Sequence, residues 1–246
     1  MKTKLPTTLA AVFFTIAATS SIQAANIDLS TWTQEGPSGN GDWQVSSDGS
    51  TVLQRINGNP TFFVSPEYFI NNSFKGKFGV ETTSDDDYIG FALFEGEDAS
   101  DPFILFDWKQ GLQSSSQPGF YLSKVTGGAS AIPFGNHHLD APGYDVLATN
   151  LGTGWADNTV YDFTLNYTTT NLKIEIAGGA FGTGQTIFDL NGTYNQARFG
   201  FYNYSQSSVR YQGFTEDVIN VPDNGATGLA LAGAFALLVG LRRKLR

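Results

Sequence analysis

Short apolar runs recur along this chain, separated by Gly, Asn, Asp, Ser and Pro, and helical periodicity is nearly absent. That is the pattern of an antiparallel sandwich or barrel. Three runs alternate cleanly. In residues 74–81, Phe74, Phe78 and Val80 share one face, with Lys75, Lys77 and Glu81 on the other. In 161–167, Tyr161, Phe163, Leu165 and Tyr167 alternate with Asp162, Thr164 and Asn166; in 172–176, Leu172, Ile174 and Ile176 alternate with Lys173 and Glu175. These predict strands with one wet face. Residues 88–94 and 103–108 are apolar on both faces and predict central strands, and the aromatic run 199–204 predicts a third. Residues 127–154 show no such pattern and are expected to form long loops.

The two ends differ from this body. Lys2 and Lys4 precede a mostly apolar stretch from Leu9 to Ala18, and Ile22-Gln23-Ala24 supplies a small residue before a cut. This predicts a signal peptide over 1–24. At the other end come Val221, Pro222, Asp223, Asn224 and Gly225, then an apolar segment from Gly228 to Leu241 and a basic tail, Arg242-Arg243-Lys244-Leu245-Arg246. The apolar segment is short for a stable span, which needs about 20 residues, and the basic cluster fits a cytoplasmic stop. Motif, span and basic tail in this order resemble the PEP-CTERM class of bacterial sorting tails, in its Val-Pro-Asp variant. The resemblance implies an exosortase-type membrane protease as a partner, cutting near Val221-Pro222-Asp223. It implies export to the cell surface. With short signal helices expected at both termini, the remaining residues 25–220 suit a single β-rich domain.

Charge sharpens the separation. Six of the 14 basic residues lie in the two terminal segments, and all 23 acidic ones lie between Asp28 and Asp223, so the body sets eight basic against 23 acidic side chains, a net −15. Such a body avoids nucleic acid and anionic membrane surfaces and attracts divalent cations. It has no cysteine, so it is held by its core, with 20 Phe and 10 Tyr as material.

Three consecutive carboxylates, Asp85, Asp86 and Asp87, stand just before the run 88–94. Like charges this close repel, and a hard cation with oxygen ligands relieves that; the alternative is a solvated acidic turn. Glu95, Glu97, Asp98 and Asp101 form a second acidic loop, expected to be solvated, since its spacing lacks the order of an EF-hand. His137-His138 with Asp140 nearby is expected to pack a loop rather than bind zinc, because adjacent histidines rarely point at one metal. Trp108 and Trp155 are expected in the core or on sugar rings, and Tyr202 and Tyr204 are candidates for glycan stacking, Tyr204 the better.

Two segments carry a second resemblance: Asp85-Asp86-Asp87-Tyr88-Ile89-Gly90-Phe91 and, after the next apolar run, Trp108-Lys109-Gln110. With Gly154-Trp155, Arg198-Phe199-Gly200-Phe201-Tyr202 and residues 209–214 in order, the chain from about Trp43 to about Glu216 resembles the thrombospondin C-terminal domain. The resemblance implies a concanavalin A-like jelly roll of two antiparallel sheets. It also implies Ca2+ at Asp85, Asp86 and Asp87, with extracellular polysaccharide or matrix proteins as partners. The Asp-rich calcium repeats that precede this domain in thrombospondins are lacking. A glycosidase needs two carboxylates flanking the scissile bond about 5–9.5 Å apart. The strand 173–177 offers one, and no Gly-x-Ser-x-Gly or His-Glu-x-x-His occurs. The expectation is a non-enzymatic, calcium-stabilised protein of matrix, envelope or cell adhesion, or a lectin. A groove of exposed aromatics and amides on one sheet face would mark the lectin; a filled face would mark the contact protein.

Overall fold

The computed structural model describes residues 25–219; the expected signal peptide and the sorting motif Val221–Gly225 lie outside the described residues. Fifteen strands follow in chain order: β1 (Ala25–Asn26), β2 (Thr33–Glu35), β3 (Trp43–Val45), β4 (Thr51–Gln54), β5 (Thr61–Phe69), β6 (Asn72–Val80), β7 (Tyr88–Phe94), β8 (Phe103–Lys109), β9 (Gly119–Val125), β10 (Tyr144–Leu151), β11 (Tyr161–Tyr167), β12 (Asn171–Ala177), β13 (Gln185–Asn191), β14 (Ala197–Tyr204) and β15 (Val209–Val218). The helical content among the described residues is three short 3-10 turns. No helix among them is long and apolar enough to cross a membrane.

The strands form two wholly antiparallel sheets. One is ordered β13-β12-β11-β6-β15-β4-β3, with β1 beside β4 on the same flank of β15. The other is ordered β10-β9-β8-β7-β14-β5-β2. In the first sheet the alternation seen in the sequence is the burial pattern. Phe74, Phe78, Phe163, Leu165, Leu172, Ile174 and Ile176 face the second sheet. On the wet face Lys75 pairs with Asp217 at 3.6 Å and Lys77 with Asp162.

The second sheet is buried on both faces, which is why β7 and β8 read as continuous apolar runs. Register separates the two sides. The pairs Ile89–Trp108, Phe91–Phe106 and Leu93–Ile104 face the inter-sheet core. Tyr88–Lys109, Gly90–Asp107, Ala92–Leu105 and Phe94–Phe103 face outward. There a second apolar cluster forms from Phe62, Val64, Tyr88, Ala92, Phe94, Phe103, Leu105, Val125, Tyr144 and Tyr202. Ala99 from the β7–β8 connection, and Ala129, Ile132, Phe134 and Ala141 from the segment 126–143, cover it.

The stretch 127–154, expected as loop, contains β10. A bulge between Val146 and Ala148 shifts its register against β9 and breaks the two-residue period by which a strand is recognised. As an edge strand it also leaves Leu147 and Leu151 exposed.

Candidate functional site

The Asp triplet ends the connection between β6 and β7, and the Trp-Lys-Gln segment ends β8. Because β7 and β8 are antiparallel neighbours, with Tyr88 opposite Lys109, the two motifs are brought together. Lys109 is fully buried, and its Nζ lies 2.9 Å from Asp87 Oδ1, 3.3 Å from Asp86 Oδ1, 3.0 Å from the Asp86 carbonyl and 3.1 Å from Gln113 Oε1. It also sits 4.9 Å from the Tyr88 ring centre. Asp87 is buried as well. Its amide donates to Gln206 Oε1 at 3.0 Å, and its carbonyl accepts from Trp155 Nε1 at 3.0 Å. Asp85, half-buried, accepts from Asn57 Nδ2, and Asn57 Oδ1 accepts from Ser205 Oγ at 3.1 Å. Two sequence motifs and the β14–β15 connection thus form one polar knot.

Carboxylate oxygens of Asp85, Asp86 and Asp87 lie within 4.8 Å of one another, the one such acidic or histidine cluster among the described residues. The repulsion inferred from the sequence is therefore real, but the protein supplies a cation of its own. The single Lys109 ammonium lies against Asp86 and Asp87 and offsets one of the three negative charges, so the cluster keeps two in excess. Asp85 shows the effect: burial, then the neighbouring Asp87 charge, push its carboxyl up to about 6. A surplus of negative charge in a half-buried place is one that a cation would relieve. Lys109 engages Oδ1 of both Asp86 and Asp87, so a hard divalent ion would draw on Asp85 and on the second oxygens of Asp86 and Asp87.

A second polar centre escaped the sequence. Asp107, buried on the outward face of β8, accepts from His137 Nδ1 at 2.8 Å. His137 is also buried, stacks on Tyr88 with ring centres 4.0 Å apart, and directs Nε2 at the Pro133 carbonyl. Both ring nitrogens thus have a polar partner, the Asp107 carboxylate and the Pro133 carbonyl. Burial pushes the Asp107 carboxyl up, while His137 and Lys109 pull it down. A carboxylate inside an otherwise apolar strand demands a partner, and that demand, together with the histidine of the unpatterned stretch, was the available signal. His138 is half-buried and Asp140 accepts from the Val146 amide at 2.8 Å. His137 packs a loop, as expected, but in the core.

The remaining candidates fall as follows. Tyr202 does not offer a stacking face: it is fully buried, its ring 5.4 Å from that of Phe62, because the segment 126–143 covers the side it points to. Tyr204 is half-buried between Tyr88 and Phe134. Trp108 and Trp155 are core residues, and Trp108 Nε1 donates to the Thr153 carbonyl at 2.9 Å. In the second acidic loop Asp101 accepts from the Glu97 amide at 2.7 Å and Asp98 from the Ser100 amide at 2.7 Å, while Glu95 pairs with Lys124 at 3.2 Å.

Comparison with known proteins agrees with this picture. Residues 38–128 match the family described as the thrombospondin C-terminal region. Human thrombospondin-3 is 27% identical over 188 residues, covering 68% of this chain and 19% of that protein. The chain thus spans about a fifth of the length of the curated relatives it matches. Among solved structures, a carbohydrate-binding module from Bacillus subtilis, CBM66, superposes with a TM-score of 0.53 at 13% identity, over 76% of this chain and 95% of that one. The exoplasmic/lumenal domain of VIP36 in its Ca2+/Man-bound form gives 0.53 at 14%, over 79% and 85%. At such identities these superpositions establish the fold, the lectin-like antiparallel sandwich. The chain is thus similar to the thrombospondin C-terminal region in sequence and to carbohydrate-binding modules in architecture.

Proposed function

We propose that this protein is exported and acts outside the cytoplasm by non-catalytic contact, in matrix, envelope or cell adhesion. The observation that carries this reading is the sealed outward face of the second sheet. On the sequence criterion set above, a filled face favours a contact protein over a lectin with a central glycan groove. Ala129, Ile132, Phe134 and His137 occupy the space above Tyr88, Ala92 and Tyr202 that such a groove would need. The His–Asp pair lies under the same cover, with its second nitrogen on a backbone carbonyl, so it offers no base to a substrate. The likeness to thrombospondin C-terminal regions supports a location outside the cell. The terminal segments supply the route, with an exosortase-type protease as processing partner and extracellular polysaccharide or matrix proteins as targets.

Calcium belongs to this reading as a stabiliser. Bound at Asp86 and Asp87, with Asp85 as a further ligand or contributing through its field, it would relieve the repulsion within the triplet. An ion that binds only the folded state adds about 2.7 kcal/mol at 100 times its dissociation constant. The test is thermal melting in chelator and in millimolar Ca2+. The melting temperature should rise with calcium and less with magnesium, which prefers a tighter octahedral shell. Asp87→Ala and Asp86→Ala should remove or reduce the rise. Identical melting of the wild type in both buffers would reduce the triplet to a lysine-braced acidic turn. The contact role is tested separately, on an array of glycans and matrix proteins with and without calcium.

A further inference from the structure

The first sheet builds a pocket of its own where β6 ends. Gly79 stands opposite Arg210 of β15, and Lys77 opposite Gln212. The segment before β11 folds over this end of β6: the Asn158 amide donates to the Val80 carbonyl at 2.9 Å. A Cβ on Gly79 would lie 2.6 Å from the Thr159 carbonyl oxygen, so a side chain there would push the segment away. Between the segment and β15 remains a pocket of about 220 Å³, walled by Glu81, Asn158, Thr159, Val160, Arg210 and Gln212. It is smaller than the roughly 300–1,000 Å³ usual for small-molecule sites, so it suits one ring-sized group. The covering segment is anchored from behind. Trp155 Nε1 donates to the Asp87 carbonyl at 3.0 Å, and Gln110 Nε2 donates to Asp157 Oδ1 at 3.1 Å.

The wall side chains are open to solvent. Glu81, Asn158 and Val160 are exposed, and Arg210 and Gln212 are half-buried. Arg210 turns Nε and Nη2 to the Glu81 carboxylate, at 2.6 and 3.1 Å. The pair cancels in charge and leaves Nη1 over. Among the described residues, Nη1 and the side-chain amides of Asn158 and Gln212 have no hydrogen-bond partner. Net charge restricts the ligand: neutral walls on a body of net −15 favour an uncharged group over an anion. The donor set restricts it further. Each amide brings donors and an acceptor, and the guanidinium a donor, which suits groups that both donate and accept. Hydroxyls do so. Val160 adds an apolar surface at the same rim. A sugar ring carries both features, hydroxyls around its edge and C–H groups on its faces.

We propose that this pocket binds one neutral sugar residue, its hydroxyls on Arg210 Nη1, Asn158 and Gln212 and a C–H face on Val160. The proposal rests on the extracellular contact role above and narrows one of its targets, extracellular polysaccharide, to uncharged sugars. The test is saturation-transfer NMR on the full-length protein in millimolar Ca2+, with methyl glucoside, methyl mannoside, methyl galactoside and N-acetylglucosamine as neutral probes and glucuronate as the anionic control. At least one neutral probe should bind, and glucuronate more weakly. Asn158 has φ +52°, which glycine adopts freely, so Asn158→Gly keeps the backbone and removes only the amide. Asn158→Gly and Gln212→Ala should each weaken binding about tenfold, the loss of one hydrogen-bonded contact. Val160→Trp, which fills the pocket from an exposed position, should abolish it. No transfer from any neutral probe to the wild type would overturn the proposal. So would full-strength binding by both Asn158→Gly and Gln212→Ala, or glucuronate binding as tightly as the sugars. The contact role is judged apart, on the array: a wild type that takes no sugar yet holds matrix proteins loses the pocket and keeps the role.

Discussion

Lys109 shows what a single residue decides. A lysine with no exposed surface persists only because Asp87, Asp86, Gln113 and a backbone carbonyl surround it. Removing one member of a buried pair strands the other charge, at a cost of about 3–5 kcal/mol. Lys109→Met should therefore lower stability in chemical denaturation by that order. Lys109→Met combined with Asp87→Asn should recover part of it, which an additive, merely steric loss would not do. A milder case is Asp48, which accepts from Ser46 Oγ, from the Ser50 amide at 3.1 Å and from Ser50 Oγ at 2.8 Å in the β3–β4 turn. These bonds hold its carboxyl down at about 2, against an ordinary 3.8. The folded-state value is the lower one, so the contribution to stability is present above pH 3.8 and lost as pH falls toward 2. Asp48→Ala should destabilise at neutral pH, and its gap from the wild type, read by melting across a pH series, should close below pH 4. The triplet and the Trp-Lys-Gln segment were legible in the sequence as motifs. That they are halves of one contact was not, because pairing across β7 and β8 is set by a turn that neither motif contains.

Among the elements, the segment 126–143 does the least expected work. The strands β6, β11 and β12 could be read from alternation, and β7 and β8 from their apolar runs, because burial on one face or two leaves a direct imprint on residue type. The cover over the second sheet leaves no period, since a loop buries side chains at irregular intervals. Asp107 was hidden for a related reason: one carboxylate in an apolar run looks like an exception until its partner is located 30 residues away. His137→Ala removes the ring stacked on Tyr88 and the partner of Asp107, leaving a buried carboxylate to be neutralised. The expected results are a stability loss of about 3–5 kcal/mol, faster amide exchange in the segment 126–143, and binding of a hydrophobic dye to the uncovered face. His137→Phe, which keeps the packing and loses the bond to Asp107, should lose stability without binding the dye. Exposed and covered aromatics are indistinguishable by residue type, which is why Tyr202 looked available for stacking.

At the scale of the whole molecule, an acidic sandwich with no cysteine rests on an aromatic core: Phe91 alone has Phe106, Phe163 and Phe199 within 5.3 Å between ring centres. The terminal segments make their own prediction. Mass spectrometry of the mature native protein should show a start near Ala25 and loss of the residues after about Asp223; intact Arg246 would defeat processing and leave export standing. The pairing of β15 has a mechanical consequence. This last strand lies inside its sheet, laddered to β6 from Val209 to Val218 and to β4 and β1 on its other side. A pull entering at Val218 along the strand axis meets both ladders in shear, so many hydrogen bonds must fail together. A strand at the sheet edge with a single ladder would resist far less. A protein held at its C-terminal end and gripped elsewhere by its surroundings would thus take load through the part of its fold best able to bear it.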